Sequence, residues 1–252
     1  MESSGMELYV KILITGGSFL LPQRLAAALA GAHDVVLTAR SELDEDAPGH
    51  RFLRSDLGHD DATNELVRGM DVIVHSGESD EDATESERLD VAMRCTYNLL
   101  MAAAAERVPC FIYLGSLGIL GKYDEDMTIT ERWRPVPTTD ISDVCYHLGE
   151  FVCREFGRER KASVVCLRLG DLVWDGVESG EANSSALYFD DAVQAVEKAL
   201  SAGEHGAGPA ARSQALGKPG WNIFHIQSSV PKARFATGAA ETHLGYSPAA
   251  RS

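Results

Sequence analysis

Apolar runs of strand length alternate with stretches of helical period along most of the chain, the pattern of parallel strands joined by helical crossovers. Strands are predicted at Tyr9 to Thr15, Asp34 to Ala39, Arg51 to Ser55, Val72 to His75, Cys110 to Leu114, Ser163 to Leu169 and Trp221 to Ile226. Helices are predicted between them, at Pro22 to Ala30, Asp60 to Arg68, Thr84 to Arg107, Ser142 to Arg158 and Asp190 to Ser201. This order predicts an α/β fold, a doubly wound parallel sheet of the Rossmann kind. Residues 1–170 form its body, with 190–201 and 221–227 packing back onto it. Residues 171–189 and 228–252 are left for a small C-terminal lobe. Ala202 to Gly220, rich in Gly, Ala and Pro without a period, reads as a mobile loop, and the first six residues read as disordered.

At 252 residues the chain is long enough for one large α/β domain with a small lobe, and two independent domains would be crowded. Lys and Arg number 23 against 38 Asp and Glu, a net charge of -15, which repels nucleic acid and anionic membranes. No apolar stretch approaches the ~18 residues of a membrane span, so a soluble, cytoplasmic protein is expected. The five cysteines are odd in number and lack C-x-x-C spacing, which reads as reduced thiols used for packing.

Residues 11 to 30 read KILITGGSFLLPQRLAAALA, a buried strand that runs into Gly16 and Gly17 and then an Ala-rich helix. Such a turn aims backbone N–H groups and a helix N-terminus at a pyrophosphate. A glycine pair also serves any tight strand-to-helix turn, so the bland reading stands beside the functional one. No H-x-x-H, H-E-x-x-H or cysteine cluster points to a metal, and none is expected.

Further motifs make the likeness specific. The glycine stretch resembles the Thr-Gly-Gly-x-Gly-x-x-Gly loop of the extended short-chain dehydrogenase/reductase superfamily, the NAD-dependent epimerase/dehydratase group. Asp56-Leu57 resembles its Asp-Leu after strand three, and Asp71-Val-Ile-Val-His75-Ser-Gly77 its Asp-x-Val-x-His-x-Ala/Gly run. Asp90-Val91 with Thr96, Asn98, Leu99 and Leu100 resembles the following helix. Phe111-Ile-Tyr-Leu-Gly-Ser116 resembles the strand that presents a catalytic Ser or Thr, Tyr146 falls at the catalytic tyrosine, and Leu167-Arg168-Leu-Gly170 resembles the Leu-Arg-x-Gly of strand six. Asp190-Asp191-Ala and Leu244-Gly245-Tyr246-x-Pro248 also fit, so the likeness spans roughly residues 8 to 248. The short 171–189 segment and compact tail look most like the uronate-dehydrogenase end of the group. The resemblance implies cofactor contacts from Gly16, Gly17, Phe19, Leu20, Arg40, Asp56, Leu57, His75, Ser76 and Gly77. It also implies a catalytic set of Tyr146, Ser116 and the residue at 150, and a lobe that faces the substrate.

The departures are as informative. The second and third motif glycines align with Phe19 and Pro22; the second exists so that backbone can approach the pyrophosphate, and Phe19 crowds that approach. Pro22 is milder, as a first helical residue that loses only an unpaired N–H. At the end of strand two, where NAD-selective relatives hold an acid, this chain has Thr38-Ala39-Arg40, and the arginine favours NADP over NAD. His75 also reads as a packed residue, and Ser116 as a hydroxyl that caps a strand end.

The largest departure is at the tyrosine motif, which reads Tyr146-His-Leu-Gly-Glu150 where the family has Tyr-x-x-x-Lys. Residues i and i+4 share a helix face. At ~6 Å and an effective dielectric of ~20 a unit charge is worth ~2.8 kcal/mol, or ~2 pKa units. Exchanging lysine for Glu150 is thus expected to raise the Tyr146 pKa by up to ~4 units, and Glu150→Lys to restore activity. Lys122, just past strand five, could substitute for the lost cation but reads better as a solvated lysine, and His147 could replace the proton carrier only against the ~100° that separates adjacent helical positions.

The expected function is an NAD(P)-binding protein of the epimerase/dehydratase type, with weakened or altered oxidoreductase capacity on a sugar-like alcohol or carbonyl. The alternative is a non-catalytic dinucleotide sensor or partner-binding scaffold of the same fold. Whether the chain is an enzyme stays open at this point. By family analogy the two long helices suit a homodimer.

Overall fold

The computed structural model describes residues 9–42, 50–78, 82–174, 183–202 and 220–250. Nine strands run through them in chain order: β1 (Lys11–Thr15), β2 (Asp34–Ala39), β3 (Arg51–Arg54), β4 (Val72–Ser76), β5 (Cys110–Ser116), β6 (Val164–Leu169), β7 (Asp171–Val173), β8 (Ala186–Tyr188) and β9 (Trp221–Ile226). Seven of them form one all-parallel sheet in the order β3-β2-β1-β4-β5-β6-β9, while β7 and β8 pair in parallel as a separate ribbon. The expected doubly wound α/β fold is therefore present. The 202–220 loop, apart from its two ends, and the first six residues lie outside the described residues.

The central strands are apolar on both alternating sets of positions because both sheet faces are covered. Ile12, Ile14, Val35 and Leu37 meet helices α1 (Leu20–Leu29), α6 (Phe189–Ala202) and α7 (Gly238–Leu244) on one face. Leu13, Val36, Ile73 and Phe111 meet α2 (Asp61–Val67), the long helix after β4 and α5 (Ile141–Arg158) on the other. That long helix begins as α3 (Glu85–Asp90), passes through a π turn at Val91–Cys95 and ends as α4 (Thr96–Ala105). Its start is a capping box, in which the Thr84 hydroxyl accepts from the Glu87 N–H and the Glu87 carboxylate accepts from the Thr84 N–H. Within the π turn the Thr96 hydroxyl donates to the Val91 carbonyl at 3.3 Å. All five cysteines are free and buried, as a packing role requires.

Three short elements escaped the periodicity: the three-residue strands β7 and β8, and α7. Helix α1 starts at Leu20, two residues before the expected proline. Pro22 is thus its third residue, where an N–H still has no intrahelical acceptor.

Candidate functional site

Parallel order reverses between β1 and β4, with β2 and β3 to one side and β5, β6 and β9 to the other. In open α/β sheets this switch point opens a crevice at the carboxyl ends of the strands. Here it holds about 460 Å³ of space, part of it open to solvent. The ends of β1 and β2 form its floor through Thr15, Gly16, Thr38 and Arg40; Asp56 and Leu57 follow β3, and Val91 and Cys95 face them from the π turn. Ser76 and Glu78 close the β4 side.

Both glycines of the turn have structural reasons. Gly16 has φ +81°, in the left-handed region, and a Cβ on Gly17 would lie 2.9 Å from Leu37 Cγ. Phe19 is the extended N-cap of α1 and makes no side-chain cap; no acidic residue occupies the first turn. The first turn therefore offers no carboxylate to compete with an anion, and the Phe19 N–H donates back to the Gly16 carbonyl at 2.9 Å. Phe19 and Leu20 lie outside the crevice lining, and Leu20 is exposed. Leu57 adopts φ +52° and gives its carbonyl to the Asn98 amide at 3.1 Å, which fixes Asp56 at the crevice mouth. One floor group is conspicuous. The Thr38 hydroxyl is buried and has no hydrogen-bond partner among the described residues.

Other assignments move. His75 is fully buried rather than lining the crevice, held between the Thr15 and Thr96 hydroxyls at 2.7 and 2.8 Å. Burial pushes its pKa down to about 3. Gly77 sits against the Tyr113 ring. The Ser116 hydroxyl accepts from the Gly118 N–H at 3.0 Å and so caps the turn after β5.

The tyrosine environment differs most from expectation. Tyr146 OH donates to Glu78 Oε1 at 2.5 Å, and Ser76 Oγ donates to Glu78 Oε2 at 3.0 Å. Burial, then the Glu78 charge and its hydrogen bond, push the Tyr146 pKa well above the ordinary phenol value, against a smaller opposing pull from Arg88. The direction expected for Tyr146 is thus correct, but the carboxylate responsible is Glu78. Glu150 instead is buried against β6, where Arg168 grips it with two hydrogen bonds of 2.7 and 2.8 Å. Both side chains of that pair are almost fully buried, at 3% and 5% exposure. The nearby cation is Arg88, which donates to Ser142 Oγ at 2.9 Å one turn before Tyr146. Lys122 is exposed. Glu78 stands one residue beyond the His75-Ser-Gly77 motif, and reading that motif a residue further would have reached it.

The sequence profile of the NAD-dependent epimerase/dehydratase family matches residues 12–177, more than half of the chain. The chain belongs to the NAD-dependent epimerase/dehydratase family. No curated protein matches it. Solved structures similar to this family member include a variant of the uronate dehydrogenase from Agrobacterium tumefaciens in complex with NAD, at 20% identity and TM-score 0.77, covering 96% of this chain and 85% of that one. The glucuronic acid dehydrogenase from Chromohalobacter salexigens matches at 18% identity and TM-score 0.77, with 96% and 85% coverage. A UDP-N-acetylglucosamine 4-epimerase from Bacillus cereus matches at 17% identity and TM-score 0.72, with 95% and 94% coverage. These likenesses show the fold.

The family cofactor, NAD, fits this crevice at one end. The adenosine side offers the glycine turn, the uncapped helix start, Asp56 and the free Thr38 hydroxyl. The nicotinamide side does not fit: a carboxylate bridges to the tyrosine there, and the helix position expected to carry the family's cation holds Glu150, turned toward Arg168. Among the described residues no cluster of metal-ligating side chains exists, and no helix is long and apolar enough to cross a membrane.

Proposed function

We propose that this protein binds an adenine nucleotide in the family's crevice and has a weakened or altered oxidoreductase centre. The observation that carries this reading is the contrast between the two ends of one crevice. Thr38 keeps an unpaired buried hydroxyl at the adenosine end, and such groups are rare unless a ligand or water completes them. At the other end the Tyr146 proton is committed to Glu78. A phenol whose pKa is raised stays protonated at neutral pH and is a poor base.

Arg40 stands at the end of β2 beside Thr38 and Ala39, with no acid in this strand end to meet a ribose 2′-hydroxyl. It supports a preference for 2′-phosphorylated adenosine, as in NADP. Adenosine 2′,5′-bisphosphate should bind more tightly than AMP by about tenfold, and Arg40→Ala should erase that difference. Calorimetric titration with these two ligands, NADPH and NADH tests the whole reading. Folded protein that takes up none of them would reject it.

The Tyr146–Glu78 contact also favours the second reading, a nucleotide sensor or partner-binding scaffold without catalysis. Turnover on sugar acids or nucleotide sugars that disappears in Tyr146→Phe would exclude it. The lobe built from β7, β8, α7 and the tail is the proposed substrate side.

A homodimer belongs to the same proposal. Met93, Tyr97 and Met101 recur at i, i+4 and i+8 on the long helix and, with Phe151 of α5, remain 36% to 48% exposed. Tyr97→Glu should shift the protein from dimer to monomer in sedimentation velocity. A wild-type protein that sediments as a monomer at high concentration would remove this part.

A further inference from the structure

We propose that the crevice takes an adenine nucleotide that ends at its phosphates and is closed to the nicotinamide riboside of an intact dinucleotide. The inference rests on the nucleotide-binding reading above and names the ligand class. Its starting point is the path a dinucleotide must follow. An adenosine seated over Thr38 and Asp56 lies at the ends of β2 and β3, and Ser116 and Tyr146 belong to β5 and α5, on the far side of β4. Any group that reaches from one to the other has to cross the end of β4.

That crossing is where Glu78 lies. Its side chain leaves the end of β4, where Ser76 Oγ of the same strand end steadies Oε2 at 3.0 Å, and its Oε1 accepts from Tyr146 OH on α5 at 2.5 Å. The bridge therefore spans the route, with both ends anchored. Entry of a riboside would have to break the Tyr146–Glu78 hydrogen bond and leave a half-buried carboxylate and a half-buried tyrosine to find new partners.

The neighbouring cations do not release the bridge: Arg168 is held by Glu150, and Arg88 donates to Ser142. The phosphates of a shorter ligand stay nearer Gly16, which lines the crevice, and the acid-free first turn of α1. The unpaired Thr38 hydroxyl is the independent sign that the adenosine end expects an occupant.

Titration calorimetry of the full chain with ADP, NAD and NADH is the test. ADP should bind at least about tenfold more tightly than either dinucleotide, since a closed route acts selectively against the longer ligand. Glu78→Ala should bring the dinucleotides to within about threefold of ADP with little change in ADP itself, and Tyr146→Phe, which releases one anchor, should move the ratio the same way. Circular dichroism would confirm that both variants fold. Dinucleotides that bind wild-type protein as tightly as ADP would overturn the closure and leave nucleotide binding standing. Equal tightening of ADP and NAD by Glu78→Ala would also overturn it, because Glu78 would then act only as a general repulsive charge. Silence with all three ligands would overturn both this inference and the reading beneath it.

Discussion

Glu150→Lys, the change that would rebuild the family's tyrosine motif, should cripple folding and restore nothing. Glu150 meets Arg168 through two hydrogen bonds of 2.7 and 2.8 Å, and the two side chains are 5% and 3% exposed. A lysine there would put two cations in contact where neither can hydrate. Removing one partner of a buried pair costs about 3–5 kcal/mol. Native stabilities are only about 5–15 kcal/mol, so this one site can consume a large share. For a chain of this size each kcal/mol shifts Tm by about 2–4 °C, which places the expected fall at roughly 6–20 °C. Thermal unfolding checks it. Replacing both partners, Glu150→Met with Arg168→Met, should recover much of the loss, because apolar pairs of similar volume often do as well as buried ion pairs. A Glu150→Lys protein with wild-type Tm, or a double variant no better than either single one, would show that the pair does not bear this weight.

The reason sequence misplaced Glu150 is geometric. Four residues turn a helix by about 400° and advance it by about 6 Å. Tyr146 and Glu150 thus share a face but sit about 40° and one full turn apart, enough for one to face the crevice and the other β6. The motif Leu167-Arg168 was visible, but nothing local says that its arginine meets a carboxylate 18 positions earlier. The large strands were legible because Val, Ile and Leu runs of five or six residues exceed any competing pattern. β7 and β8, with three residues each, carry no period to read. In the crevice the backbone features were legible, since Gly16 and Asp56 announce themselves by residue type and position. Glu78 and Thr38 were not, because a side chain's tertiary partner, or its lack of one, is not written in its neighbours.

Stability should fall steeply as the pH drops below about 6.5, and two buried histidines should account for most of the slope. His75 lies between Thr15 and Thr96 with Phe111 and Tyr113 beside it, and burial holds its pKa at about 3. His225 has Arg168 against its Nε2 at 3.4 Å, Phe235 against its ring and Glu131 on its backbone N–H. Burial first and the Arg168 charge second bring it also to about 3, against a smaller upward pull from the Ile129 backbone. Between about pH 6.5 and 3 the unfolded chain therefore binds two protons that the folded chain refuses. Stability rises with pH wherever the unfolded state holds more protons, at about 1.4 kcal/mol per pH unit for each group. Both histidines together give about 2.7 kcal/mol per unit, or about 5 kcal/mol between pH 6.5 and 4.5. Relief of the acidic surface's self-repulsion works the other way, but mainly nearer the ordinary carboxylate pKa values. Urea unfolding from pH 7.5 to 4.5 measures the slope, and His75→Asn with His225→Asn should flatten it whatever it does to stability at pH 7. An equally steep slope in that double variant would assign the acid sensitivity to the carboxylates instead.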